Sequence, residues 1–156
     1  MLNAERKKLL GELHAAARMG NALGIFLHHA WAQRLGMNSS DWQCMNVLNL
    51  EGILTAGQLA ERVGLTKGGA ITAALDRLER AGMVSRERDP SNRRRILVRV
   101  TDQALRCIGP LLDRFTKEWE TIIASYTGDE LRVLIDYAER SNAAVLTAIS
   151  ELQNDR

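Results

Sequence analysis

Met83-Val84-Ser85-Arg86-Glu87-Arg88-Asp89-Pro90-Ser91-Asn92-Arg93-Arg94-Arg95-Ile96-Leu97-Val98-Arg99-Val100 is the stretch whose reading decides the fold. Residues 83–88 and 95–100 alternate in part between apolar and polar side chains, the two-residue period of a strand. Between them, Pro90 fixes φ near the value a turn needs, and the flanking Asp89 and Asn92 favour local hydrogen bonds to the backbone. The segment predicts a β-hairpin, with three consecutive arginines, Arg93 to Arg95, where its tip rejoins the second strand.

Immediately upstream lie two short helical patterns. Thr55 followed by Gln58 has capping-box spacing, Leu59, Ala60 and Val63 supply one apolar face, and Gly64 suits the left-handed stop. Thr66 is placed to cap a second helix, Lys67 to Ala81, closed by Gly82. Two short helices joined by a glycine-containing turn and followed by a hairpin predict a winged helix-turn-helix over residues 37–101.

The flanks read as long helices. Leu9, Leu13, Ala16, Gly20, Leu23, Leu27 and Ala30 form an apolar stripe over residues 4–34, with Gly36 as its stop. Asn38, Ser39 or Ser40 then caps a helix that carries Trp42, Met45, Val47 and Leu48 and ends at Gly52. Thr101 and Asp102 open another helix to about Tyr126, with a bend expected at Gly109-Pro110. Gly128 and Asp129 start the last, in which Leu131, Ile135, Ala138, Asn142, Val145, Ile149 and Leu152 approach a heptad seam. The fold class is therefore mainly α with a small β-hairpin wing. Residues 1–36 and 102–156 are assigned to a helical dimerisation region, because their stripes are wider than one small core needs.

Charge is distributed as this layout requires. Between Thr66 and Arg106 ten basic side chains stand against five acidic ones, a local +5 in a chain whose net charge is +2. A basic middle flanked by mildly acidic ends suits contact of the middle with a polyanion.

The carriers Leu54-Thr55-Ala56-Gly57-Gln58-Leu59-Ala60-Glu61, Ile71-Thr72-Ala73-Ala74-Leu75-Asp76-Arg77-Leu78-Glu79-Arg80-Ala81-Gly82 and Asp89-Pro90-Ser91-Asn92-Arg93-Arg94 resemble the MarR family of bacterial transcription regulators. The family's wing usually reads Asp-Pro-x-Asp-Arg-Arg. Asn92 replaces the second Asp here, which weakens an internal carboxylate–arginine pair but leaves the turn and both arginines. The resemblance extends over nearly the whole chain, specific in the central block and carried by helix order in the flanks. It implies a triangular homodimer built from the first and last helices, which represses promoters and often releases DNA on binding a small phenolic or lipophilic acid.

In such a protein the N-terminal turn of the second helix enters the major groove. With Ile71, Leu75 and Leu78 turned inward, the opposite face carries Thr66, Gly69, Ala73, Asp76, Arg77 and Arg80. Gly68 and Gly69 either let backbone N–H groups approach a phosphate or are tolerated beside a packed neighbour. Lys67 and Thr72 are candidates for phosphate or base edges, and Arg77 for DNA contact unless Asp76 or Glu79 claims it. Arg93 or Arg94 is expected in the minor groove, with Arg95 on phosphate or on an internal acid. The DNA-binding set is thus Thr66, Lys67, Gly68, Gly69, Thr72, Arg77, Arg93, Arg94 and Arg95, and a two-fold dimer would read a pseudo-palindrome.

Other classes find little support. His28 and His29 are adjacent and diverge on a helix, His14 is isolated, and no phosphate-binding loop or metal-ligand spacing occurs, so no enzyme, cofactor or metal is expected. No run suits a membrane span or signal peptide, and the two distant cysteines suit a cytoplasmic protein with reduced thiols. A thiol-based redox-sensing regulator using Cys44 or Cys107 is one alternative, although only Cys107 has a cationic neighbour, Arg106. A winged-helix module that binds protein is another, against which the basic wing stands. Phe26, Trp31, Trp42 and Trp119 are candidate walls for a lipophilic or aromatic effector, or simply core.

Overall fold

In the computed structural model, residues 3–65, 68–92 and 94–154 are described, residues 153 and 154 by backbone alone. Helix α1 (Ala4–Arg34) starts at Asn3, whose side chain accepts from the Arg6 N–H, and α2 (Ser39–Glu51) at Asn38, which accepts from the Asp41 N–H at 2.8 Å. Strand β1 (Leu54–Thr55) leads into α3 (Ala56–Arg62). There the expected capping box forms: the Gln58 N–H donates to Thr55 Oγ1 and the Thr55 N–H to Gln58 Oε1. Helix α4 (Gly69–Arg80), strands β2 (Val84–Arg88) and β3 (Ile96–Val100), and helices α5 (Asp102–Ile123) and α6 (Gly128–Asn154) follow.

The sheet is antiparallel with order β1-β3-β2. β2 and β3 form the hairpin, in register Val84 to Val100 through Arg88 to Ile96. β1 adds a third strand by pairing Leu54 with Val98 and Thr55 with Leu97. Sequence reading missed it, because two residues carry no period.

Two helix boundaries depart from expectation, the start of α4 and the end of α5, whereas α6 starts at Gly128 as expected. α4 begins at Gly69, not Lys67, and its N-cap is Gly68, which makes no side-chain cap hydrogen bond. Thr66, the expected cap, lies outside the described residues. α5 is a single helical element with Pro110 inside it and ends at Ile123, where Ser125 Oγ donates to the Ile122 carbonyl. α6 is capped by Thr127, whose N–H donates to Glu130 Oε2 at 2.7 Å while its hydroxyl accepts from the Glu130 N–H. This second capping box stood in the sequence as Thr127-Gly128-Asp129-Glu130.

Two compact units are formed, Met1–Pro110 and Leu111–Arg156. Compactness thus groups α1 with the winged helix, a different cut from the functional one expected after residues 36 and 101. The core of the first unit contains Cys44, Met45, Leu59, Leu75, Leu78 and Val98, all fully buried, contributed by α2, α3, α4 and β3. It is this core that fixes α4 and the wing in one body.

Candidate nucleic-acid interface

The turn between α3 and α4 is built by backbone chemistry. Gly64 takes φ +67°, and the Leu65 N–H returns to the Ala60 carbonyl at 2.9 Å, closing α3 in the Schellman manner. Thr66 and Lys67 lie outside the described residues. Gly68 sits at φ +126°, ψ −126°, a conformation an L side chain rarely adopts, so it is required by the turn itself. Gly69 is different: it is helical, exposed, and a β-carbon there would meet nothing within 4 Å.

Burial orients α4. Ile71, Ala74, Leu75 and Leu78 are inside, while Gly69, Ala70, Thr72 and Ala73 face out. Thr72 is tied to the helix start, its hydroxyl donating to the Gly68 carbonyl at 2.9 Å. The outward first turn is therefore small and nearly free of long side chains, as the sequence suggested.

The arginines divide differently from the sequence reading. Arg77, counted there with the DNA-binding set, is engaged by Asp41 of α2: Nε to Oδ2 at 2.9 Å and Nη2 to Oδ1 at 2.7 Å. This bidentate bond holds its pKa above the ordinary arginine value. Asp76 and Glu79 do not take Arg77 or Arg80 but converge on Arg86 of β2, which bonds Asp76 Oδ1 at 2.7 Å and Glu79 through both Nε and Nη2. Hydrogen bonding from Arg86 lowers the Glu79 pKa. Arg80 donates to the Asp76 carbonyl, and Arg99 to Glu87 and Ser85.

At the wing tip Asp89 accepts from the Ser91 N–H and hydroxyl at 2.8 and 2.6 Å, which pulls its pKa down. Asn92 Oδ1 accepts from the Arg94 N–H at 3.1 Å, and the Asn92 carbonyl from the Arg95 N–H at 2.8 Å. Asn92 thus serves the turn in place of a carboxylate. Arg94 and Arg95 are exposed, the latter within electrostatic reach of Asp89; Arg93 lies outside the described residues. Arg88, exposed opposite Ile96, is a further cation beside the turn that sequence reading did not single out.

A cavity of about 330 Å³ opens between α1 and α2, lined by Ile25, Phe26, His28, His29, Ser39, Trp42 and Gln43. Trp31 stacks on His28 at 5.6 Å and lies 5.6 Å from Trp42. The Trp42 ring is buried, and its indole N–H has no hydrogen-bond partner among the described residues. Of the expected aromatic walls, Phe26 and Trp42 line this cavity, whereas Trp119 belongs to the second unit and stacks on Phe115. Adjacent His28 and His29 both reach it.

Burial pushes the Cys44 thiol up to about 11, which leaves it unreactive near neutrality; Cys107 is exposed. Among the described residues no group of three or more His, Cys, Asp or Glu is arranged to hold a metal ion, and no helix is long and apolar enough to cross a membrane.

A helix-turn-helix on a shared core, a bare first turn on its second helix and a wing edged with arginines together define a winged-helix, DNA-binding transcription regulator. Comparison with known proteins specifies it further: the MarR family model matches residues 37–96. The chain is 33% identical over 117 residues to YcgE, an HTH-type transcriptional regulator of Bacillus subtilis (strain 168), covering 75% of each. The chain belongs to the MarR family, and it is not an enzyme. Its fold matches that of a MarR family protein from Bacillus stearothermophilus with TM-score 0.66 and 21% identity, over 94% of this chain and 99% of that one. It also matches the PcaV transcriptional regulator from Streptomyces coelicolor, solved with its natural ligand, with TM-score 0.51 and 30% identity over 85% and 92% of the chains.

Proposed function

We propose that this regulator is a cytoplasmic repressor that binds a pseudo-palindromic operator as a homodimer and is released by a small aromatic or lipophilic effector. The observation that carries the DNA reading is the pairing of the exposed Gly69–Thr72 turn of α4 with a wing whose Arg94 and Arg95 face outward. A bare helix N-terminus lets backbone N–H groups approach phosphate and base edges closely. Lys67 and Thr72 would flank that contact, Gly68 shapes the approach, and Arg93, Arg94 and Arg95 would serve the adjacent minor groove. Arg77 leaves the contact set, being held by Asp41.

The effector reading rests on the α1–α2 cavity, whose aromatic walls and unpartnered indole N–H suit a flat ligand carrying an acceptor oxygen. The dimer reading rests on α1 and α6, whose apolar stripes lie exposed on the single chain.

Selection of bound duplexes from a random pool tests the DNA and dimer readings together, since two half-sites about 10 base pairs apart are expected from two-fold symmetry. Arg93→Ala with Arg94→Ala should then weaken binding about tenfold or more, on the order of 1–3 kcal/mol. Unchanged anisotropy titrations would remove the wing from the mechanism.

A further inference from the structure

Helix α4 carries its ion pair to α2 toward its far end, at Arg77, away from the first turn that would read DNA. Its N-cap Gly68 offers no side-chain cap hydrogen bond, and among the described residues the first turn presents Gly69, Ala70, Thr72 and Ala73 to solvent. The buried face of Ile71, Ala74, Leu75 and Leu78 seats the helix on the core, and a directional contact at its far end can refine that seating. Asp41 is the single buried charged side chain among the described residues, 4% exposed, and Arg77 of α4 reaches it with two nearly equal hydrogen bonds. A guanidinium fork on a carboxylate fixes distance and plane together, unlike a point contact. Asp41 is itself held, because its N–H is capped by Asn38 in the first turn of α2.

We infer that Asp41 is a positioning residue for DNA reading: by fixing Arg77 it refines the rotation of α4 that core packing sets, and it keeps that arginine off the phosphates. The inference rests on the DNA-binding reading and deepens it. It also places this contact of α4 in the turn that supplies Ser39 and Trp42 to the cavity wall, so a shift of that turn would reach α4 through the ion pair as well as through the shared core.

The test compares affinity for a duplex recovered by selection with affinity for a scrambled duplex of equal length, over a salt series. Asp41→Asn and Arg77→Ala should each lower the selected-to-scrambled ratio about tenfold. The double variant should be no worse than either single, as for two halves of one contact. Affinity for the scrambled duplex should stay level or rise, and Arg77→Ala should leave the salt slope unchanged. A slope shallower by about one in Arg77→Ala, with Asp41→Asn at the wild-type ratio, would overturn the inference and make Arg77 a phosphate contact. Should Asp41→Asn fail to fold, Arg77→Lys keeps the charge and loses the fork: a reduced ratio supports positioning, and a wild-type ratio overturns it. If the wild-type protein recovers no duplex, the DNA-binding reading falls and this inference with it, whereas recovery with an unchanged Asp41→Asn ratio sinks the role of Asp41 alone.

Discussion

The two compact units treat their apolar residues in opposite ways. In Met1–Pro110, Met45, Leu59, Leu75, Leu78 and Val98 are enclosed by their own chain. In Leu111–Arg156 no described side chain is buried, and Leu134, Ile135, Val145, Leu146, Ile149 and Leu152 stand 43–69% exposed. Helix α1 sides with the second unit in this respect, since Leu9, Leu13, Leu23, Ile25 and Phe26 are all exposed and only Ala32 is buried along it. The winged helix encloses its core within one chain; the long terminal helices leave their apolar side chains exposed on it. Apolar patches of this extent mark association surfaces.

The largest effect expected is on that exposed apolar surface. Val145→Glu with Ile149→Glu places two charges, one turn apart, on the exposed stripe of α6. Each aliphatic side chain removed from a buried interface costs on the order of 1.5–3 kcal/mol. The dissociation constant of the homodimer should therefore rise at least about a hundredfold, read as a shift from two-chain to one-chain species in sedimentation at micromolar concentration. A wild-type protein sedimenting as a folded monomer would end the comparison, because α6 would then need no mate.

What could be read beforehand follows the same division. Helices α1 and α6 were legible because apolar residues recur at steps of three and four with no proline between, and the wing because Asp89-Pro90-Ser91-Asn92 admits few conformations. Tertiary partners were not legible. Asp41 and Arg77 are 36 residues apart, and nothing local says that the carboxylate waiting for Arg77 is on α2 and not at Asp76 or Glu79. Gly68 misled for another reason: its demand for positive φ moved the helix start two residues beyond the expected Thr66 cap. The cavity needed the packing of α1 on α2, although the aromatic residues around it could be named.

A smaller effect sharpens the account of the self-contained unit. Gly68→Ala forces a side chain into φ +126° and should destabilise the protein by about 1–3 kcal/mol. Gly69→Ala enters a helix with open space around it and should leave stability level or raise it by up to about 1 kcal/mol. If close backbone approach to DNA is what keeps Gly69 bare, its variant should melt no lower yet bind the selected duplex more weakly. Equal binding by Gly69→Ala would leave Gly68, and turn geometry alone, as the reason for the glycine pair.

The smallest effect contrasts one carboxylate from each unit. Glu79 joins α4 to β2 through Arg86, whereas Glu130 only completes the cap of its own helix with Thr127. Both pKa values are lowered, Glu79 by hydrogen bonding from Arg86 and Glu130 by the Thr127 N–H and then its hydroxyl. A lowered folded-state pKa means that each contribution is complete above the ordinary glutamate value of 4.5 and is lost as pH falls through the folded-state value. Glu79→Gln removes the charge from a tertiary clamp, so its midpoint in urea should trail the wild type at pH 7 and converge on it at pH 3. Glu130→Gln should show a smaller gap at pH 7, because glutamine still accepts from the N-cap N–H. A Glu79→Gln gap as wide at pH 3 as at pH 7 would mean that the side chain's packing, not its charge, ties the wing to α4.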